Sequence, residues 1–132
     1  LTGSPRRTRE DRTVPFSTFT DPQLARVGLS EREAEEAGVE VEVGRLPFGH
    51  IARAIETDRR AGLVKVLVDP ETERIRGAAV VGAEAAELIH VIAVLMEARA
   101  PARALVDCEI VHPAYAEGLQ GAVMRLDRYA LS

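Results

Sequence analysis

The sequence is short of several features that would announce a function. It holds one cysteine, Cys108, in 132 residues, so no disulfide can form within the chain and no paired-cysteine metal knuckle exists. It has no tryptophan, two tyrosines and three phenylalanines, too few aromatic faces for a surface that stacks bases. Its formal charge is −4, from 17 basic and 21 acidic side chains. A net acidic chain lacks the excess of Lys and Arg that binds phosphate backbones, so no nucleic-acid partner is expected. No apolar run approaches the roughly 18 residues that a membrane-spanning helix needs, so no membrane partner is expected either. The opening stretch LTGSPRRTRED has no apolar h-region and does not read as a signal peptide. The simplest compartment is the cytoplasm. The glycines form no GxGxxG and no P-loop, and neither GxSxG nor HExxH occurs.

What is present suits one globular domain. Hydrophobic residues make up 46%, and a chain of this length buries enough surface for a single core without staples. The first residue is Leu rather than Met, which leaves open a processed chain, a fragment or a separate domain. Residues 1–12 are polar and Arg-rich and are expected to be a flexible lead-in, with a phosphate-binding arm as the weaker alternative. The domain proper is expected over 13–132.

Residues 13–19 (TVPFSTF) are β-branched and aromatic and predict a short strand, which Pro15 places at a sheet edge or a strand start. Ser30 and Glu33 form a capping box that opens a helix running to about Ala37, with Gly38 at its left-handed end. Val39, Val41 and Val43 alternate with Glu40, Glu42 and Gly44, which predicts a second strand. A short helical turn is expected at 51–55. Residues 63–68 and 74–81 predict a hairpin turning through Asp69-Pro70-Glu71-Thr72. Residues 84–98 carry a wide apolar face and predict a largely buried helix. Pro101 suits the first turn of a shorter helix, and the spacing of Tyr115, Leu119, Ala122, Val123 and Leu126 predicts a last helix over 115–128. Strands gather first and helices last, so the fold class is α+β, an antiparallel β-sheet covered by helices.

Few residues carry chemistry. The histidines, His50, His90 and His112, lie far apart and their spacing asks for no metal. His90 falls inside the apolar helix and is expected as a core or boundary histidine. His50 sits in a polar loop and carries no reading. Cys108 is expected to be a small buried hydrophobe. The segment His112-Pro113-Ala114-Tyr115-Ala116-Glu117 is different. Proline holds the histidine at a rigid corner, and Glu117 falls in the first turn of the following helix, tilted back toward His112. A carboxylate on one ring nitrogen fixes the tautomer and raises the basicity of the other, giving a poised proton acceptor. The same carboxylate also suits the positive end of the helix dipole, and the residues alone favour this structural reading.

In this order and spacing the segments resemble a known family. Val14-Pro15 with Phe19-Thr20-Asp21-Pro22-Gln23-Leu24-Ala25-Arg26-Val27-Gly28-Leu29 looks like its opening strand and turn. Gly62-Leu63-Val64-Lys65-Val66, Arg74-Ile75-Arg76-Gly77 and Val81-Gly82-Ala83-Glu84-Ala85-Ala86-Glu87-Leu88-Ile89 look like its central hairpin and following helix. From about residue 13 to 128 the chain resembles the C-terminal dimerisation (interface) domain of the pyridine nucleotide-disulfide oxidoreductases, the group of glutathione reductase, dihydrolipoamide dehydrogenase and mercuric reductase. The resemblance implies a two-fold homodimer in which His112 reaches the partner's active site as base toward its redox-active dithiol, oriented by Glu117. It implies that the His112–Pro113 backbone lies beside the partner's flavin and that the His112–Pro113 bond is cis. It implies FAD and NAD(P) in the parent enzyme, a disulfide oxidoreductase, with the FAD and NAD(P) domains of that enzyme as further partners. No cofactor and no activity are expected of the 132 residues alone. Ala114 stands where many members have Thr. The Glu117-Gly118-Leu119 step is closer to mercuric reductases, but those carry Tyr in place of His112 and end in paired cysteines, so a mercury substrate is disfavoured. The alternative is a stand-alone dimerisation or interaction module without redox activity. A small ligand-binding regulatory domain is supported by fold class alone.

Overall fold

A computed structural model describes residues 12–129. Five antiparallel strands form one sheet in the order β1-β2-β5-β4-β3, with β1 Phe16–Thr18, β2 Gln23–Gly28, β3 Glu42–Pro47, β4 Leu63–Val68 and β5 Ile75–Gly82. The helices are α1 Glu31–Glu36, α2 Ala52–Glu56, α3 Ala85–Glu97, α4 Arg103–Asp107 and α5 Glu117–Val123. Single 3-10 turns lie at Phe48–His50 and Asp127–Tyr129. The α+β class therefore holds, with a fully antiparallel sheet. Residues 1–11, nearly all of the expected lead-in, lie outside the described residues.

The register explains which side chains make the core. Ala25 pairs with Val80, Val80 with Val64, and Val64 with Leu46. One step along, Val27, Ala78, Val66 and Gly44 form a parallel row. All eight are buried. These rows face α3, which packs on β5 and β2, and α5, which packs on β3 and β4. Because side chains alternate along a strand, the intervening row points the other way. It carries Arg26, Ala79, Lys65 and Arg45. Arg45 and Lys65 pair with Glu31, and Arg26 pairs with Glu33. Helix α1 thus matches a basic stripe on the second face.

Local signals hold most firmly where they are self-contained. Ser30 caps α1 with the reciprocal capping box, and Gly38 follows the Ala37 cap at φ +67°. Pro15 immediately precedes β1, which is an edge strand. In the hairpin turn, Asp69 accepts N–H bonds from Glu71 (3.0 Å) and Thr72 (2.9 Å) and pairs with Arg76. The Thr72 N–H, followed by the Arg76 guanidinium, holds this carboxyl well below the usual carboxylate range.

Four expectations are corrected. Residues 23–28 form β2, which the residue pattern did not predict, because its core face offers only Ala25 and Val27 beside Gln23, and Arg26 sits on the other face. The strand expected around Val39–Val43 is displaced to Glu42–Pro47; Gly44 and Leu46 are its buried residues, while the valines are only half-buried. Pro101 lies ahead of the Ala102 N-cap of α4 rather than in its first turn. The last helix covers Glu117–Val123 instead of 115–128. Beyond it, Arg128 bonds Glu42 (2.6 Å), Glu73 (3.0 Å) and the Pro70 carbonyl (2.7 Å), which fastens the end of the described chain to β3 and the hairpin turn.

Candidate functional site

The corner at His112 is assembled from short-range and long-range parts. The chain leaves α4 at Cys108 in extended conformation and reaches His112 without regular structure. Gln120, on α5, donates to the carbonyls of Leu105 (2.8 Å) and Cys108 (3.1 Å) and so fixes this approach. The His112–Pro113 peptide is cis, as is Asp21–Pro22. Glu117 is the first residue of α5, and the Ala116 cap supplies no side-chain bond.

The Glu117 carboxylate uses both oxygens at the corner. Oε2 accepts the Ala114 N–H at 2.8 Å. Oε1 lies 2.7 Å from His112 Nδ1. An ionised carboxylate only accepts, so Nδ1 carries the hydrogen, and in the neutral ring the lone pair sits on Nε2. No hydrogen bond to Nε2 is formed among the described residues, and the imidazole is 69% exposed. The Ala114 N–H, then His112, lowers the Glu117 carboxyl below its ordinary value. The Glu117 hydrogen bond and charge raise His112 above the ordinary histidine value. The product is an exposed, strengthened base whose tautomer is set.

An open cleft of about 280 Å³ adjoins the corner, lined by His112, Glu117, Gly121 and Arg125 on one side and Leu46, His50, Ile51 and Ala52 on the other. His50 therefore belongs to the neighbourhood of the site, although its loop position carried no reading. It is brought there by the 3-10 turn after β3, a long-range placement without a sequence signal. His90 and Cys108 are corrected. His90 is exposed on the outer side of α3, since the helix buries Ile89 and Ile92 on either side of it. Cys108 is exposed at the end of α4, its Sγ turned to the Glu109 carbonyl (3.6 Å). Among the described residues, no group of three or more His, Cys, Asp or Glu side chains is placed to hold a metal ion.

The site is thus an exposed histidine–carboxylate corner beside an antiparallel sheet backed by α3 and α5. The model of the pyridine nucleotide-disulphide oxidoreductase dimerisation domain matches residues 14–123, and the chain belongs to this family. A probable pyridine nucleotide-disulfide oxidoreductase, RclA, of Escherichia coli is 36% identical over 120 residues, covering 90% of this chain and 27% of that protein. A dihydrolipoyl dehydrogenase of Haloferax volcanii is 38% identical over 113 residues, covering 86% of this chain and 24% of its own. The solved HOCl-induced flavoprotein disulfide reductase RclA from Escherichia coli superposes with a TM-score of 0.85 at 34% identity, over 93% of this chain and 28% of that one. The chain thus spans about a quarter of the length of the relatives it matches. No helix among the described residues is long and apolar enough to cross a membrane.

Proposed function

We propose that this chain is the dimerisation domain of a flavin-dependent disulfide oxidoreductase and that His112 is the proton acceptor it presents to the partner subunit's dithiol. The observation that carries the reading is the Glu117–His112 bond, which leaves Nε2 exposed and basic. In the forward direction, Nε2 takes the proton of a partner thiol. The thiolate attacks one sulfur of the substrate disulfide, and the imidazolium returns the proton to the sulfur that leaves. Glu117 stays ionised throughout and steadies the imidazolium.

The sheet is antiparallel, and no strand–helix–strand crossover with a glycine-rich first turn occurs among the described residues. FAD and NAD(P) would be held by the FAD and NAD(P) domains of the whole protein, with the His112–Pro113 backbone set beside the partner's flavin. Self-association uses, in this reading, the outer face of α3, where Val91 and Val94 are exposed beside His90, Ala93 and Ala98. The same face on two copies makes an isologous contact. The compartment that fits such a protein is the cytoplasm.

In the full-length protein, His112→Ala should lower disulfide turnover about 10²–10⁴-fold. Reduction of a one-electron dye by the nicotinamide should continue, since it needs no thiol proton transfer. Near-normal disulfide turnover in that variant would overturn the assignment.

A further inference from the structure

Tyr115 lies two residues ahead of α5. Its ring stacks on Phe48, centroids 5.7 Å apart and planes 24° from parallel. Phe48 is fully buried, so it is a fixed platform. The Tyr115 hydroxyl lies 2.7 Å from Thr57 Oγ1. Thr57 spends its one hydroxyl proton on the Arg53 carbonyl at 2.8 Å. Tyr115 is therefore the donor and Thr57 the acceptor. The Tyr115 carbonyl in turn receives the Gly118 N–H at 3.0 Å, inside the first turn of α5. One residue thus ties that turn to the 3-10 turn after β3 and to the end of α2. Its neighbours Ala114 and Ala116 have no side chain able to do so, and Ala116 leaves the helix without a side-chain cap.

We propose that Tyr115 is a positioning residue, which holds the first turn of α5 so that Glu117 stays within bonding reach of His112, without itself touching the imidazole. Its catalytic consequence rests on the reading of His112 as proton acceptor. The juxtaposition does not. The charged and titratable groups facing His112 are Glu117 on α5, Glu56 at the end of α2, His50 across the cleft and Arg125 on its own side of it. Glu56 precedes Thr57, so Tyr115 also anchors the segment that sets the second carboxylate's distance.

The test uses full-length protein labelled at histidine Cε1, with the His112 resonance assigned by its loss in His112→Gln. Tyr115→Ala should bring the His112 titration back toward the ordinary value of about 6.5. It should lower kcat for the disulfide about 10–100-fold, the scale of a misplaced catalytic group, with KM little changed. Tyr115→Phe keeps the ring stack and should retain most of kcat and the raised titration. If Tyr115→Ala does not fold, Tyr115→Leu, which fills the space without the stack or the hydroxyl, should show the same displaced titration. A His112 titration unmoved in the folded variant overturns the proposal, even if turnover falls. Normal turnover in His112→Ala would overturn the proton-acceptor reading alone, because the titration still reports the positioning.

Discussion

At the residue scale, the proposed chemistry turns on one carboxylate with two bonds. Glu117 accepts from a backbone N–H and from an imidazole, so its charge is held in place before the histidine ionises. The sign of the pH effect follows. A raised His112 value means that the ring remains protonated to higher pH than a free histidine. Disulfide turnover that needs the neutral base therefore rises as pH climbs through that raised value. In Glu117→Gln the rise should shift to lower pH, toward about 6.5, and the plateau should fall because the ring loses its orienting partner. A pH profile of disulfide turnover checks this, and a profile that keeps its midpoint contradicts it. Stability follows the same linkage: the ion pair's contribution is lost as pH rises through the raised His112 value, and lost again as pH falls through the lowered Glu117 value.

At the element scale, the site depends on how closely α5 lies on β3 and β4. A Cβ added at Gly44 would meet the Ala122 carbonyl oxygen at 2.0 Å, and one at Gly118 would meet Ile51 Cδ1 at 2.4 Å. The first obstacle is backbone and has no rotamer to escape into. Gly44→Ala should cost about 1–3 kcal/mol, as overpacking does, and a thermal or denaturant midpoint unchanged from the parent would contradict the packing described. The corner itself was legible in the sequence because its parts lie within six residues, His112 to Glu117, and helix geometry brings them together. The capping box of α1 and the hairpin at Asp69 were legible for the same reason. The approach of Phe48 and Thr57 to Tyr115, the seat of His50 in the cleft and the glycine contacts of α5 were not, because each is set by sheet register across long stretches of chain. Strand β2 was missed for a related cause. Its Arg26 belongs to the face that α1 covers, and its pairing with Glu33 exists only after folding.

At the scale of the whole molecule, α3 has two faces of unlike use. Ile89 and Ile92 close the core, while Val94, 66% exposed, and Val91 form an apolar strip with nothing over it among the described residues. In the proposed dimer, Val94→Asp sets like charges against each other across the two-fold, at a cost of about 1.4–2.8 kcal/mol. It should raise the dimer dissociation constant about 10–100-fold. Sedimentation velocity reads this directly, and an unchanged constant would move the interface elsewhere.

In the proposed reading, His112 serves a dithiol on the other subunit. Hybrid dimers test it most directly. A full-length subunit carrying His112→Ala with an intact dithiol is paired with one that keeps His112 but has its redox-active cysteines replaced. Each parent homodimer should be nearly inactive toward disulfides. The hybrid should regain turnover, because one of its two sites again combines an intact dithiol with His112 from across the interface. A hybrid as inactive as its parents would contradict it.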